Sequence, residues 1–174
     1  MGVHLDGSYN VAVGGNVMSD TDAGGNSESS QYNVFMGYGA GGGTWADTGS
    51  SHDSNIGIGY LALSGALNTD ATIAIGHSAL AALTTGAGNV AIGYQSGAAM
   101  TTANYNVILG HAAGNDLTTA DSNVVIGYGA MDKATTQASS NIAIGLYSMN
   151  GNWTTADVNN CIAIGQQTLD GVLT

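Results

Sequence analysis

One five-residue phrase recurs along the chain, and within it aliphatic positions alternate with small or polar ones. It runs Asn10-Val-Ala-Val-Gly14, Asn33-Val-Phe-Met-Gly37, Asn55-Ile-Gly-Ile-Gly59, Thr72-Ile-Ala-Ile-Gly76, Asn89-Val-Ala-Ile-Gly93, Asn106-Val-Ile-Leu-Gly110, Asn123-Val-Val-Ile-Gly127, Asn141-Ile-Ala-Ile-Gly145 and Cys161-Ile-Ala-Ile-Gly165. The closing glycines Gly14, Gly37, Gly59, Gly76, Gly93, Gly110, Gly127, Gly145 and Gly165 are spaced by 23, 22, 17, 17, 17, 17, 18 and 20 residues. A period of this size marks a repeat architecture. Alternation with β-branched residues predicts a short strand in each copy, with neighbouring side chains on opposite faces. The second and fourth positions, the latter including Ile58, Ile75, Ile92, Leu109, Ile126, Ile144 and Ile164, then share one face. We expect this face to form the inner column of the fold, with Asn, Ala and Gly turned outward.

The second half of each repeat is looser. A small residue follows the motif glycine at three positions' distance, as in Ala62, Ala79, Ser96 and Ala113, and an apolar residue precedes a Thr-Thr pair, as in Leu83, Met100 and Leu117. Polar turns such as Ala120-Asp121-Ser122 lead back to the next copy. This pattern predicts an all-β parallel β-solenoid, one domain over residues 1–174, with about nine coils of ~17 residues and two short strands per coil. Extra residues in the longer repeats are assigned to loops 19–31 and 39–54.

The phrases Asn-Val-Ala-Ile-Gly-Tyr and Thr-Ile-Ala-Ile-Gly-His-Ser-Ala-Leu resemble the head repeats of trimeric autotransporter adhesins. They resemble still more the related repeats of phage tail fibres and virion-surface proteins. The resemblance covers residues from about Asn10 to Leu173. It implies a left-handed β-roll, three chains per unit and a role in surface attachment. The chain shows no stalk heptads, membrane anchor or secretion signal, so we expect a virion component located on a particle surface or outside the cell. Partners implied are two further copies and a host-surface glycan or protein. A homotrimer also agrees with the composition of each coil, which carries few large apolar side chains and so gains from burial between chains.

Composition narrows the function classes. The chain has 174 residues, 28 Gly, no Pro and a net charge of −11, with Lys133 its only Lys or Arg. One cation gives no footprint for nucleic acid phosphates and little attraction to anionic lipid. No 18-residue apolar run exists, so no membrane insertion is expected. Cys161 is expected to be a small buried hydrophobe.

Candidate chemistry is sparse. No nucleophile–base set or carboxylate pair stands out, so no enzyme, cofactor or resident metal is expected. The residues after the motif glycine, Tyr60, His77, Tyr94, His111 and Tyr128, should stack as a ladder about 4.8 Å per step. His77 and His111 are then too far apart to share a metal within one chain. Trp45, Trp153, Tyr32, Asp20 and Asp22 are the candidate binding residues, because they lie in or beside the longer loops and aromatics serve as contact anchors. Two alternatives are a purely structural capsid decoration or self-stacking filament, and an ice-binding solenoid that uses the recurrent Thr pairs. Adjacent Thr residues point to opposite faces, so only one rank per pair can reach solvent.

Overall fold

The computed structural model describes residues 9–19, 30–43, 52–65, 68–133, 138–151 and 158–171. Trp45, Trp153, Asp20, Asp22, most of loop 19–31 and half of loop 39–54 lie outside these residues. The described residues contain strands and turns and no helix. The strands are β1 (Val11–Val13), β2 (Val34–Met36), β3 (Ile56–Ile58), β4 (Asn68–Asp70), β5 (Ile73–Ile75), β6 (Thr85–Ala87), β7 (Val90–Ile92), β8 (Val107–Leu109), β9 (Val124–Ile126), β10 (Ile142–Ile144) and β11 (Ile162–Ile164).

The motif strands form one nine-stranded parallel sheet in the order β1-β2-β3-β5-β7-β8-β9-β10-β11. Register is in phase throughout: Ile73 pairs with Val90, Ala74 with Ala91 and Ile75 with Ile92, and the next rungs repeat this. Each connection returns the chain one rung along, which makes a parallel β-solenoid.

The motif glycine allows the rungs to close up. At Gly93 φ is +140°, and an added Cβ would strike the carbonyl oxygen of Gly110 on the next rung. An L side chain has neither the space nor the backbone conformation there.

Which face lies inside differs from the expectation. The first and third positions point in: Asn33, Asn55, Asn89, Asn106, Asn123 and Asn141 are buried, as are Phe35, Ala74, Ala91, Ile108, Val125 and Ala143. The aliphatics Ile58, Ile75, Leu109, Ile126 and Ile144 are only half-buried, and Ile92 and Ile164 are exposed. They line the outside of the sheet. Hydrogen bonding is the physical reason. An inward Asn amide reaches backbone groups that would otherwise be orphaned, and a buried polar backbone group needs a partner.

The opposite wall supplies the large core residues. Leu63, Leu80, Leu83, Met100, Leu117, Met131 and Met149 are all buried against the sheet. Sizes trade across the narrow interior. Phe35 faces Gly41 and Gly57, where a Cβ would come within 2.8 and 2.5 Å of its ring. Ile108 packs over Gly114, whereas the small Ala74 and Ala143 share their coils with Leu80 and Met149. Such compensation keeps each layer near constant volume.

The second strand per coil is a further correction. Only β4 and β6 pair on that side among the described residues. Elsewhere the segment after the motif glycine runs through alternate positive φ angles, for example Ser78 at 55° and Leu80 at 50°. Its N–H groups bond alternately backward and forward: Ser78 donates to Tyr60 O at 2.8 Å and Leu80 to Ser96 O at 3.0 Å. The wall is therefore laddered rung to rung without being extended strand. Gly39 and Gly41, assigned to a loop on sequence grounds, hold these same places by donating to Gly15 O and Ala62 O. Cys161 is half-buried rather than buried, since β11 is paired on one side only among the described residues.

Candidate functional site

Two ladders of side chains run through the solenoid in opposite directions. In the interior, the backbone N–H of Asn106 donates to Asn89 Oδ1 at 3.0 Å, and that of Asn123 donates to Asn106 Oδ1 at 2.9 Å. Each amide nitrogen crosses to the far wall, as Asn106 Nδ2 does to Ala120 O at 2.8 Å. In the turn two residues before each motif the sense reverses. The Asp53 N–H donates to Asp70 Oδ1 at 2.8 Å, and the Asn104 N–H to Asp121 Oδ1 at 2.6 Å. These turn carboxylates are thus backbone acceptors. The sequence shows their column once the repeats are aligned on the first motif residue: Asp53, Asp70, Asn104, Asp121, Ser139 and Asn159 all fall two residues ahead of it.

His52 sits inside this region and is 3% exposed. Burial holds its imidazole pKa below the ordinary value, against the opposing pull of the Asp70 and Asp53 carboxylates. The unfolded chain therefore binds the His52 proton more readily than the folded one. The stabilising contribution is complete above the ordinary value of about 6.5 and is lost as pH falls through the lower folded value. We expect Tm to drop between pH 7 and 5, and His52→Gln to flatten part of that drop, in thermal melts at fixed protein concentration.

On the surface, the aromatic file forms as predicted. Ring centroids are 4.8 Å apart for Tyr60–His77, 5.1 Å for His77–Tyr94, 4.8 Å for Tyr94–His111 and 4.9 Å for His111–Tyr128, and Tyr38 extends the stack at 5.8 Å. His77 and His111 are separated by Tyr94, and among the described residues no group of three or more His, Cys, Asp or Glu side chains could hold a metal ion. Stacking covers the ring faces, so the file offers mainly ring edges. Tyr32 is 57% exposed and stacks on Tyr9 at 5.2 Å with planes 2° apart. Among the described Thr pairs, Thr85, Thr102 and Thr119 are exposed and Thr84, Thr101 and Thr118 half-buried, so one rank of each pair faces outward there.

Beside the file lies the outward aliphatic face, two columns wide. Val11 and Val13 are 47% and 52% exposed, Ile92 40%, and Ile162 and Ile164 67% and 64%. No formally charged residue occupies any motif position. Nine rungs at about 4.8 Å make the stripe roughly 38 Å long.

A polar cleft of about 370 Å3 opens over the last rungs, lined by Asp132, Lys133, Tyr147, Asn150, Gln167 and Asp170. Burial, reinforced by nearby Asp116, raises the Asp132 carboxyl pKa above the usual carboxylate value. Leu146 ends the file, and Tyr147, one position further on, meets Tyr128 edge-on, 5.4 Å away with planes at 89°. Its hydrogen bond to Tyr128 raises its phenol pKa. Sequence reasoning missed this cleft, because its residues are scattered over three repeats.

Compared with protein-family models, curated proteins and solved structures, the chain matches none of them.

Proposed function

We propose that this chain is a non-enzymatic attachment element, a homotrimeric surface fibre of a virion, built from nine left-handed coils. The observation that carries it is the outward aliphatic stripe. A patch this long and free of charge is at the upper end of what a monomer leaves in water. A second copy is the partner that fits. At −11 per chain, copies repel everywhere except across a surface with no charge. Closed symmetry then satisfies every stripe at once, and three copies, like the hand of the coil, follow the resemblance to adhesin-head and tail-fibre repeats. The attachment role rests on that resemblance as well.

Native mass spectrometry and light scattering should give three times the 17.3 kDa chain mass. The double variant Ile75→Lys and Ile92→Lys should run as a monomer, because each charge would be buried unpaired at the seam. Added salt should tighten the wild-type assembly by screening self-repulsion. A wild-type monomer at all concentrations would end the fibre reading. Binding to host cells tests attachment separately.

A filament of copies stacked end to end is the second reading. The free edges of β1 and β11 favour it, since unpaired strand edges recruit further strands. Against it, Cys161 stands where a motif Asn would offer its Oδ1 to a following rung. Mass that grows with concentration beyond three chains would establish the filament.

A further inference from the structure

The outward columns of the turn wall are small or neutral through the regular repeats and change character at the end. Two residues after the motif glycine stand Leu61, Ser78, Gln95, Ala112 and Gly129, then Tyr147 and Gln167. Five residues after it stand Ala81 and Ala98, then Asn115, Asp132, Asn150 and Asp170. Nothing in the repeat itself calls for the change. Tyr147 replaces a residue as small as Gly129, and its ring passes over Gly129, where a Cβ would come within 2.5 Å of it. The chain's single Lys stands in the same place. A scaffold of stacked repeats gains function where a local set of side chains breaks the pattern.

We propose that this cleft binds saccharide: one pyranose unit of a larger glycan, its hydroxyls held by Asp132, Asn150, Gln167, Asp170 and Lys133 and its C–H face laid on the Tyr147 ring. The lining suits no other common class of small ligand as well. It is too polar for an apolar molecule, which needs a hydrophobic wall. Its carboxylates, set against one ammonium, oppose an anion. A sugar needs many hydrogen-bonding partners at fixed places, and carboxylate, amide and ammonium groups supply both donors and acceptors. It also has weakly positive C–H edges that suit the negative face of an aromatic ring. Tyr147 stands one position past the file, and it meets Tyr128 edge-on rather than face to face. Asp132 adds support: its carboxyl is partly desolvated and, beside its hydrogen bond with Asn115, can accept from a sugar hydroxyl. Asn150 is already placed, with its Oδ1 accepting from the Lys133 N–H at 3.2 Å, which leaves its Nδ2 to donate.

The proposal rests on the attachment reading and names the chemistry recognised. Saturation-transfer difference NMR on the full chain would use methyl glycosides of glucose, galactose, mannose and N-acetylglucosamine, with N-acetylneuraminic acid and calcium chloride alone as further probes. We expect one or more neutral pyranosides to give signal, and the exposed substitutions Gln167→Ala and Asp170→Ala to weaken it at least tenfold. Tyr147→Ala should do the same, while Tyr105→Ala, at an exposed ring well away from the cleft, should leave binding unchanged. No neutral pyranoside signal, a signal that the cleft variants leave intact, or a response to calcium without one to sugar would overturn the assignment. If the trimer still adheres to cells while the cleft binds no sugar, attachment survives and only the cleft's role is lost.

Discussion

Gly93→Ala should be among the most damaging single-methyl changes at the described residues. The added Cβ would meet the carbonyl of Gly110, and the backbone at +140° lies where L side chains rarely go. The strained conformation alone costs on the order of 1–3 kcal/mol. Relief is blocked on both sides: Gly93 N–H is bonded to Ile75 O at 2.8 Å, and Gly110 N–H to Ile92 O at 2.9 Å. Moving either rung opens a ladder bond worth about 1 kcal/mol and disturbs every rung stacked beyond it. We expect a loss above about 4 kcal/mol, in the tail of point-mutation effects. Gly171→Ala is the matched control, since a Cβ there would meet nothing within 4 Å. Urea melts at equal protein concentration decide the matter. Equal midpoints for the two variants would show that the rungs are not in backbone contact.

Replacing Asn106 by Leu should destabilise the fold, although it puts a larger apolar group into an apolar interior. Asn106 Nδ2 donates to Asn89 Oδ1, Asn104 O and Ala120 O at 3.0, 3.0 and 2.8 Å, and its Oδ1 accepts from the Asn123 N–H and Nδ2 at 2.9 and 3.0 Å. Leu leaves the Ala120 carbonyl and the Asn123 N–H buried without these partners. At about 1–3 kcal/mol for each of these two orphaned groups, the loss is on the order of 2–6 kcal/mol. Thr72 shows a milder substitute within the chain itself. Its N–H still donates to Asn55 Oδ1, and its hydroxyl turns to Asp70 O. Asn106→Thr should therefore cost less than Asn106→Leu. A rise in Tm for Asn106→Leu would mean that the motif Asn faces water.

That last outcome is the arrangement the alternating pattern suggests by itself. Period-two alternation separates the motif into two sets of side chains and leaves open which set is inside. Large aliphatics on one face and Asn with Ala on the other point to the aliphatic face as core, by the usual weight given to hydrophobicity. Two facts invisible in a single copy reverse it. The opposite wall already fills the interior with Leu80, Leu83, Met100 and Leu117. Only an inward Asn can bridge the two walls. Other features were legible. The aromatic stack and the single outward Thr rank follow from repeat phase alone. The turn ladder of Asp and Asn was equally visible, had the columns ahead of the motif been aligned.

The order of residues alone settles the period, the parallel in-phase sheet and the places where glycine is indispensable, because these depend on spacing along the chain and on local backbone sterics. It also carries the file of rings, since identical phase stacks identical positions. Which face turns inward, how the walls divide the core volume, and which scattered polar residues share a cleft were decided only in three dimensions. Those properties depend on what lies across the coil, and no residue's own neighbours in sequence report that.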